Sequence, residues 1–329
     1  MCTRALWSGA GDAIMVGRNM DYGKDLATNL WAFPRGMSRD SAVDGGSLRW
    51  SSRYGSLAAG AYDNSTNDGL NEAGLAGHLL WLTEADYGAR SEDRPALSAS
   101  VWLQYFLDNF QTVSDAVAWI EHSQVQIVSA KDPGTGRVVA LHLALEDASG
   151  DSAIVEYLDG TPRVWHGRAY TVMTNSPPFD RQLEHLRRVE GFGGDETLPG
   201  GTAPEHRFAR AAYYLERLPA PAGRAEAFAE LLSVMRNTSQ PFRTPDPEHP
   251  FISTTLWRTI ADLTHRIYVY ESTRRPNVIW MRLDEIDLTE GAPVRKLDLV
   301  NDVGLEGGLL GDVTEAFTAA APMQFMLAA

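Results

Sequence analysis

Two periods of apolar residues divide the chain into blocks of predicted strands and helices. A period of two, typical of strands, covers 3–8, 12–19, 48–52, 55–62, 75–82, 125–130, 138–145, 153–158, 163–165, 254–261, 266–272 and 278–282. Three- and four-residue spacing, typical of helices, covers 101–110, 112–120, 179–189, 204–217 and 223–236. Residues 63–69, DNSTNDG, predict a loop. Separate blocks of strands and helices favour an α+β fold, in which sheets pack face to face with helices outside, over an alternating parallel βαβ fold.

The first two predicted strands form a hairpin that surrounds the chain's single cysteine. A turn centred between residues 10 and 11 would place Cys2 opposite Asn19, with Arg18 and Asp21 in its neighbourhood. Arg18 would favour the thiolate, and Asp21 could accept a hydrogen bond from the chain's amino group. The alternative interpretation of Arg18 and Asp21 is a solvated ion pair at a strand end.

Composition narrows the possible partners. The 329 residues include 44% hydrophobic residues, enough for a sizeable core, and short connections throughout indicate a single domain. The net charge of -14 argues against nucleic acid, and no apolar run approaches the roughly 18 residues that span a bilayer. The N-terminus lacks a signal-peptide pattern, so the chain as given is expected to be cytoplasmic, or periplasmic if a leader has been removed.

No metal or cofactor is indicated by the sequence. One cysteine excludes an intramolecular disulfide and a multi-thiolate metal site, and the eight histidines form no HExxH motif. The glycines of 304–311 match neither a phosphate loop nor a dinucleotide fingerprint, and predict a flexible turn.

Cys2 follows the initiator methionine directly. A methionine before a small residue is normally removed, which would leave Cys2 with a free α-amino group. The pKa of such an amine is about 7.7 to 8.0 and that of a thiol about 8.5, so one residue can supply both nucleophile and base. The alternative interpretation is an incidental small hydrophobic residue at a chain end.

Five motifs occur in order along the chain: Cys2-Thr3-Arg4, Arg18-Asn19-Met20-Asp21, Asn71-Glu72-Ala73-Gly74-Leu75, Met173-Thr174-Asn175-Ser176-Pro177 and Arg207-Phe208. With them the sequence resembles the choloylglycine hydrolase family, N-terminal-nucleophile amidohydrolases that include bile salt hydrolases and penicillin V acylases. The resemblance implies an αββα sandwich of two mainly antiparallel sheets flanked by helices. It also implies a mature chain of residues 2–329 without Met1, and hydrolysis of linear amides.

Two further stretches, 28–37 and 80–82, resemble penicillin V acylases of Gram-negative bacteria, some of which also cleave N-acyl homoserine lactones. The resemblance implies an oxyanion hole formed by the Asn175 side chain and the Trp81 backbone NH. It gives Arg207 the role of binding or polarising near the reaction centre. An apolar acyl pocket would be lined by Met20, Tyr22, Trp31, Phe33 and Trp81.

Two alternative functions and one assembly complete the expectations. Bile salt hydrolases usually carry asparagine where this chain has Trp81. We therefore expect the substrate to be a small-molecule acyl amide other than a bile salt. Bile salt hydrolysis is one alternative, and a non-catalytic binding protein with an inherited fold is the other. The resemblance further implies a homotetramer, in which the apolar segment 319–329 could pack on a neighbouring subunit.

Overall fold

The computed structural model describes residues 1–45, 48–244, 253–275, 277–302 and 308–329. Their strands are β1 Cys2–Ala10, β2 Ala13–Tyr22, β3 Asn29–Phe33, β4 Ser38–Asp40, β5 Arg49–Ser51, β6 Ser56–Ala61, β7 Ser65–Asn71, β8 Ala76–Trp81, β9 Ala96–Ser98, β10 Gln126–Val128, β11 Leu141–Glu146, β12 Ser152–Leu158, β13 Thr161–His166, β14 Val172–Met173, β15 Thr254–Asp262, β16 Ile267–Ser272, β17 Val278–Arg282, β18 Arg295–Leu297, β19 Gly311–Asp312 and β20 Thr318–Ala319. Their helices are α1 Trp102–Asn109, α2 Val113–His122, α3 Phe179–Leu186, α4 Pro204–Leu215 and α5 Arg224–Asn237, with 3₁₀ turns at Leu283–Glu285 and Thr314–Ala316.

Two large sheets carry most of the strands. In the described residues, sheet I has the order β14-β1-β2-β15-β16-β17-β19, and sheet II has the order β13-β12-β11-β8-β7-β6-β3-β18-β20. Neighbouring strands are antiparallel throughout both sheets except for the parallel pair β17 and β19. The N-terminal hairpin lies inside sheet I, so both of its strands are covered on two faces.

The helices cover the outer faces of the two sheets. Helices α3, α4 and α5 lie on sheet I, where Phe208 and Leu231 join the core, and α1 and α2 lie on sheet II. Gly17 of β2 allows α5 close approach, because a Cβ there would lie 2.6 Å from the Met235 side chain. The four layers confirm the predicted αββα sandwich.

The main departure from the predicted elements is at residues 63–69. The sequence predicts a loop there, but strand β7 begins at Ser65 and pairs with β6 and β8 in the middle of sheet II. Its polar side chains include Asp68, which is fully buried between the sheets rather than solvated. Strand β3 was not predicted either, and residues 304–307 of the predicted glycine-rich turn lie outside the described residues.

The C-terminal segment packs on its own chain, and the suggestion that it could also pack on a neighbouring subunit stays a prediction. Met326 N donates to Asn64 O at 2.9 Å, and Ala328 N donates to Ala42 O at 2.8 Å. The hydroxyl of Ser100 donates to Met326 O at 2.6 Å. These main-chain hydrogen bonds fix the tail along the helix-covered face of sheet II, because its unpaired backbone groups find partners there.

Candidate active site

The register of the β1–β2 hairpin differs by one residue from the predicted one. Cys2 lies opposite Met20, and the predicted partner Asn19 lies opposite Thr3. The prediction was wrong because the turn consists of Gly11 and Asp12, and a bulge between Trp7 and Ala10 shifts the pairing again.

The observed register places Cys2, Arg18 and Met20 together. Nη2 of Arg18 lies 3.4 Å from the Cys2 sulfur, and the Met20 sulfur lies 3.7 Å from it. The Cys2 side chain is only 4% exposed. The guanidinium that the sequence analysis expected near the thiol therefore contacts it, and its effect on the thiol stays a prediction.

Met1 extends the hairpin by one residue. Asp21 N donates to Met1 O at 2.8 Å, and the Met1 amino group donates to the Asp21 carbonyl. The nitrogen of Cys2 is therefore an amide here; it donates to Oδ1 of Asn175 at 2.6 Å and marks the position of the α-amino group in a chain that starts at Cys2. Burial lowers the pKa of the Met1 amino group, and the same environment would favour a neutral, basic amine on Cys2.

The Asp21 carboxylate is held on the far side of this backbone position. It accepts hydrogen bonds from Thr255 Oγ1 at 2.6 Å and from Gln240 Nε2 at 3.3 Å. Nη1 of Arg207 lies 3.5 Å from it. In the described residues, Asp21 therefore contacts the Cys2 region through its backbone and through Arg207. The expected hydrogen bond from the Cys2 amine to the Asp21 carboxylate stays a prediction.

Arg207 joins the N-terminus to Asn175. Its guanidinium donates to the Cys2 carbonyl, to Thr3 Oγ1 at 2.6 Å and to Asn175 Oδ1 at 2.8 Å. The side chain is fully buried. These bonds orient Asn175 and the first residues of β1, so Arg207 positions the groups around the thiol.

Asn175 lies in the loop between β14 and α3 and bridges to the end of β8. Its Nδ2 donates to the Trp81 carbonyl at 2.6 Å, and Gln182 Nε2 donates to its main-chain oxygen at 2.9 Å. One Nδ2 hydrogen remains for a substrate oxygen, since an amide carries two. Trp81 contacts Asn175 through its carbonyl, and the role of its NH in an oxyanion hole stays a prediction.

A mainly apolar cavity opens from the thiol. It has a volume of about 90 Å³ and includes Cys2, Met20, Tyr22 and Trp81 in its lining. The rest of its wall is mainly apolar and includes Leu26, Leu79, Val139, Leu141 and Met326. Tyr22 is fixed by a hydrogen bond from its hydroxyl to Asp132 at 2.8 Å, and burial together with this bond raises the pKa of Tyr22 well above its usual value.

Trp31 and Phe33 do not line this cavity, which corrects their predicted assignment to the acyl pocket. On β3 they alternate with residues that face sheet I, so both rings lie on the outer face of sheet II. The two rings stack at 6.0 Å, Trp31 Nε1 donates to Asp63 at 2.8 Å, and Arg39 covers the Phe33 ring. They belong to the core under the helices.

A second cavity lies beside the first and shares Met1, Tyr22 and Trp81 with it. Its other lining residues are mostly polar and comprise Gly23, Thr83, Glu84, Arg137, Asn175, Ser176, Pro204 and Ser253. The Arg137 guanidinium lies 5.1 Å from the centre of the Trp81 ring. The first cavity borders the thiol, and the second borders Asn175.

Sequence reasoning missed the residues behind Arg18. Asp68 lies 3.5 Å from the Arg18 guanidinium and contacts His78. His78 in turn contacts Glu146, which pairs with Arg4, and all of these side chains are buried between the sheets. A buried arginine requires a buried carboxylate, so Arg18 itself was a signal that such a partner exists. Its position in the sequence was hidden because residues 63–69 have the composition of a loop.

The arrangement suits acyl transfer. A thiol beside a guanidinium, an adjacent amino position and an amide donor supply nucleophile, base and oxyanion stabiliser. Within the described residues, no cluster of three or more histidine, cysteine or carboxylate side chains could hold a metal ion. Nor is any described helix long and apolar enough to span a membrane.

An acylase and a hydrolase have sequences similar to this chain. The chain is 39% identical over 308 residues to penicillin V acylase from Pectobacterium atrosepticum, covering 88% of this chain and 82% of that protein. It is 25% identical over 242 residues to a bile salt hydrolase/transferase from Bifidobacterium longum, covering 65% of this chain and 73% of that protein.

Solved structures agree with the sequence comparison. Penicillin V acylase from Agrobacterium tumefaciens superposes with a TM-score of 0.88 at 42% identity, covering 99% of this chain and 100% of that one. A variant of conjugated bile acid hydrolase from Clostridium perfringens shares the fold, with a TM-score of 0.77 at 19% identity over 90% of this chain and 97% of that one. The model of the linear amide C–N hydrolases, choloylglycine hydrolase family, matches residues 2–303. The chain therefore belongs to the choloylglycine hydrolase family of linear amide hydrolases.

Proposed function

We propose that the chain starting at Cys2 hydrolyses N-acyl amides whose acyl group is a linear fatty chain or an aryloxyacetyl group. The observation that carries the proposal is the apolar cavity that opens onto the Cys2 sulfur. The similarity to two penicillin V acylases supports penicillin V as one substrate. N-acyl homoserine lactones are the second candidate, because a flexible acyl chain could fill the same apolar space.

In the proposed mechanism the Cys2 thiolate attacks the amide carbonyl carbon. The developing oxyanion accepts a hydrogen bond from Asn175 Nδ2 and from the Trp81 NH, while Arg18 stabilises the thiolate before attack. The Cys2 amine takes the thiol proton and delivers it to the leaving nitrogen as the carbon–nitrogen bond breaks. Water then adds to the thioester, releases the carboxylic acid and returns a proton to the sulfur.

The two cavities divide the substrate in this mechanism. The cavity that opens from the thiol takes the acyl group, and the cavity beside Asn175, whose lining includes Glu84 and Arg137, takes the amine that leaves. The penam nucleus and the homoserine lactone ring are both polar groups of modest size. Binding energy from the acyl side can therefore position the carbonyl against the sulfur for either amine.

The test compares kcat/KM for penicillin V, an N-acyl homoserine lactone and glycocholate. We expect turnover of the first two, and loss of turnover in Cys2→Ala with Met1 correctly removed. Ser8→Ala is the matched control, since Ser8 is exposed at the other end of the same strand. Preference for glycocholate would replace the proposal by bile salt hydrolysis.

Removal of Met1 is part of the proposal and has its own test. Intact-mass measurement of the purified protein should show the loss of one methionine, because the mechanism requires a free amine on Cys2. A protein that retains Met1 and hydrolyses none of the three substrates would favour the non-catalytic binding protein.

We also infer a homotetramer, on the basis of the family resemblance. The C-terminal segment contributes less to this inference than expected, since its backbone is bonded to its own chain. Leu327 is still 54% exposed and could contact a neighbour. Light scattering on the purified protein should give four times the chain mass; a monomer at micromolar concentration would contradict the inference.

A further inference from the structure

A line of buried charged side chains runs between the two sheets, and its far end is an ion pair. Nη2 of Arg4 on β1 lies 2.5 Å from Oε2 of Glu146 on β11. The second carboxylate oxygen of Glu146 contacts Nε2 of His78 on β8. Nδ1 of the same imidazole lies 2.6 Å from Asp68 on β7. Each of these four side chains is at most 1% exposed.

The near end of the line is the active-site thiol. Oδ2 of Asp68 lies 3.5 Å from Nη1 of Arg18, and Nη2 of the same guanidinium lies 3.4 Å from the Cys2 sulfur. Asp68 also accepts hydrogen bonds from the hydroxyls of Tyr268 on β16 and Thr259 on β15. The thiol is thus connected to His78 through one carboxylate and one guanidinium.

The charges along this line alternate. Both nitrogens of His78 lie within ion-pair distance of a carboxylate oxygen, and a neutral imidazole carries a proton on only one of them. Burial disfavours that cation, but Glu146 and Asp68 outweigh burial and raise the pKa of His78 to about 9. At neutral pH the line, which here comprises Arg4, Glu146, His78, Asp68 and Arg18, therefore holds three cations and two carboxylates.

Within this line of five described side chains, three cations and two carboxylates leave one positive charge without a counterion. An unpaired buried charge is costly, and a thiolate on Cys2 would neutralise it. If the Cys2 thiolate is counted as a sixth group at the end of the line, three anions face three cations and the charges balance. The line thus favours ionisation of the sulfur.

We propose that His78 is a positioning residue for the Cys2 thiolate, acting through Asp68 on the Arg18 guanidinium. The proposal rests on the nucleophilic role proposed above for Cys2. Without the imidazolium, Asp68 would have Arg18 as its remaining cationic partner among the described contacts and would draw the guanidinium away from the sulfur. The net positive charge near the thiol would also disappear, and both effects raise the thiol pKa.

The charged and titratable groups around His78 come from both sheets. Asp68 and Glu146 face it from sheet II, and Arg4, Arg18 and Tyr268 face the same carboxylates from sheet I. Tyr268 stays neutral, because burial and the neighbouring Asp68 raise its pKa well above the usual value. The titration that changes the charge of this line in the alkaline range is therefore that of His78.

The test measures the thiol pKa of His78→Gln without using a substrate. Cys2 is the chain's single cysteine, so the pH dependence of alkylation by iodoacetamide reports this thiol alone. We expect its pKa, measured between about pH 5 and 10, to rise by about one unit, which lowers the alkylation rate about tenfold at any pH well below the native thiol pKa. Asp108→Asn is the matched control, since it breaks a buried ion pair with Arg39 on the outer face of sheet II.

Two results would overturn the proposal. One is a His78→Gln protein with the native thiol pKa and lower thermal stability, which would make the line a structural link between the sheets only. If His78→Gln does not fold, Tyr268→Phe keeps the ring and removes a hydrogen bond from Asp68, so that Asp68 draws Arg18 more strongly. An unchanged thiol pKa in Tyr268→Phe is the second such result.

The outcome is separable from that of the proposed function. If the native thiol has a low pKa that rises in His78→Gln, but the protein hydrolyses no acyl amide, the proposed substrates are refuted and the role of His78 stands. Conversely, if the protein is an active acylase and its thiol pKa is the same in His78→Gln, only the positioning role of His78 is refuted.

Discussion

Met326 from the C-terminal tail should set the length of acyl chain that the apolar cavity accepts. Met326 lines the cavity, while its main chain is held by Asn64 in the turn between β6 and β7 and by Ser100 between β9 and α1. Met326→Ala removes three heavy atoms and leaves these main-chain hydrogen bonds in place. The cavity should therefore become longer without releasing the tail.

The magnitude follows from the apolar surface that a longer substrate can bury. Each methylene buried contributes about 0.8 kcal/mol, or about fourfold in kcat/KM when it is held in the transition state. The space of three heavy atoms accepts about two extra methylenes, so the preference for a long over a short acyl chain should shift by about 1.6 kcal/mol, or about 15-fold. The assay is kcat/KM across a homologous series of N-acyl homoserine lactones that differ by two carbons.

The adjacent residue provides the matched control. Leu327 is 54% exposed, so Leu327→Ala should leave the chain-length preference unchanged. Thermal denaturation of both variants would establish that each is folded at the assay temperature. If Met326→Ala lowered kcat/KM equally for every chain length, the assignment of this cavity to the acyl group would be refuted.

Three further outcomes follow from the site and the core. Asn175→Ala should lower kcat by about 10² to 10³, because one oxyanion donor is lost; steady-state kinetics per titrated thiol measures this. Phe33→Ala should lower the free energy of unfolding in urea by about 3 to 5 kcal/mol, yet keep kcat/KM per folded molecule, since its ring lies in the core. The raised pKa of His78 contributes stability that is complete below its ordinary pKa of 6.5 and is lost as pH rises through about 9, on the order of 3 kcal/mol in urea unfolding.

Each outcome has a contrary result. Full activity of Asn175→Ala would remove it from the oxyanion hole. A change in acyl preference in Phe33→Ala would return that ring to the pocket and contradict its position on the outer face of sheet II. A His78→Gln protein whose stability falls between about pH 7 and 10 as steeply as that of the native protein would show that another group titrates there.

The elements that were predicted correctly are those whose formation depends on residues close together in the sequence. Helices α3, α4 and α5 were predicted from apolar spacing, and α2 from the cap at Thr112, whose side chain accepts a hydrogen bond from Asp115 N at 3.1 Å. The N-terminal hairpin was also predicted. Its register was not, because the two-residue turn lies one residue later than predicted, at Gly11 and Asp12, and the bulge between Trp7 and Ala10 then shifts the pairing by one residue.

Strand faces were harder to predict than strands. Trp31 and Phe33 alternate with Leu30 and Ala32, and both sets are apolar. Such a strand is buried on both faces, so its pattern does not indicate which face meets the substrate. The answer depends on which sheet covers it, and that requires the packing of residues far apart in the sequence.

The charged residues behind the thiol show why the loop prediction for residues 63–69 failed. Composition treats Asp68 as a solvated turn residue, since an isolated buried carboxylate would be too costly. The cost is offset here by His78 and Arg18, which hold the pKa of Asp68 below its usual value despite burial. Those partners lie on β8 and β2, so the strand becomes stable only after both sheets have assembled. Asp68 therefore gives β7 the composition of a loop and also connects this strand to the Cys2 thiol through Arg18.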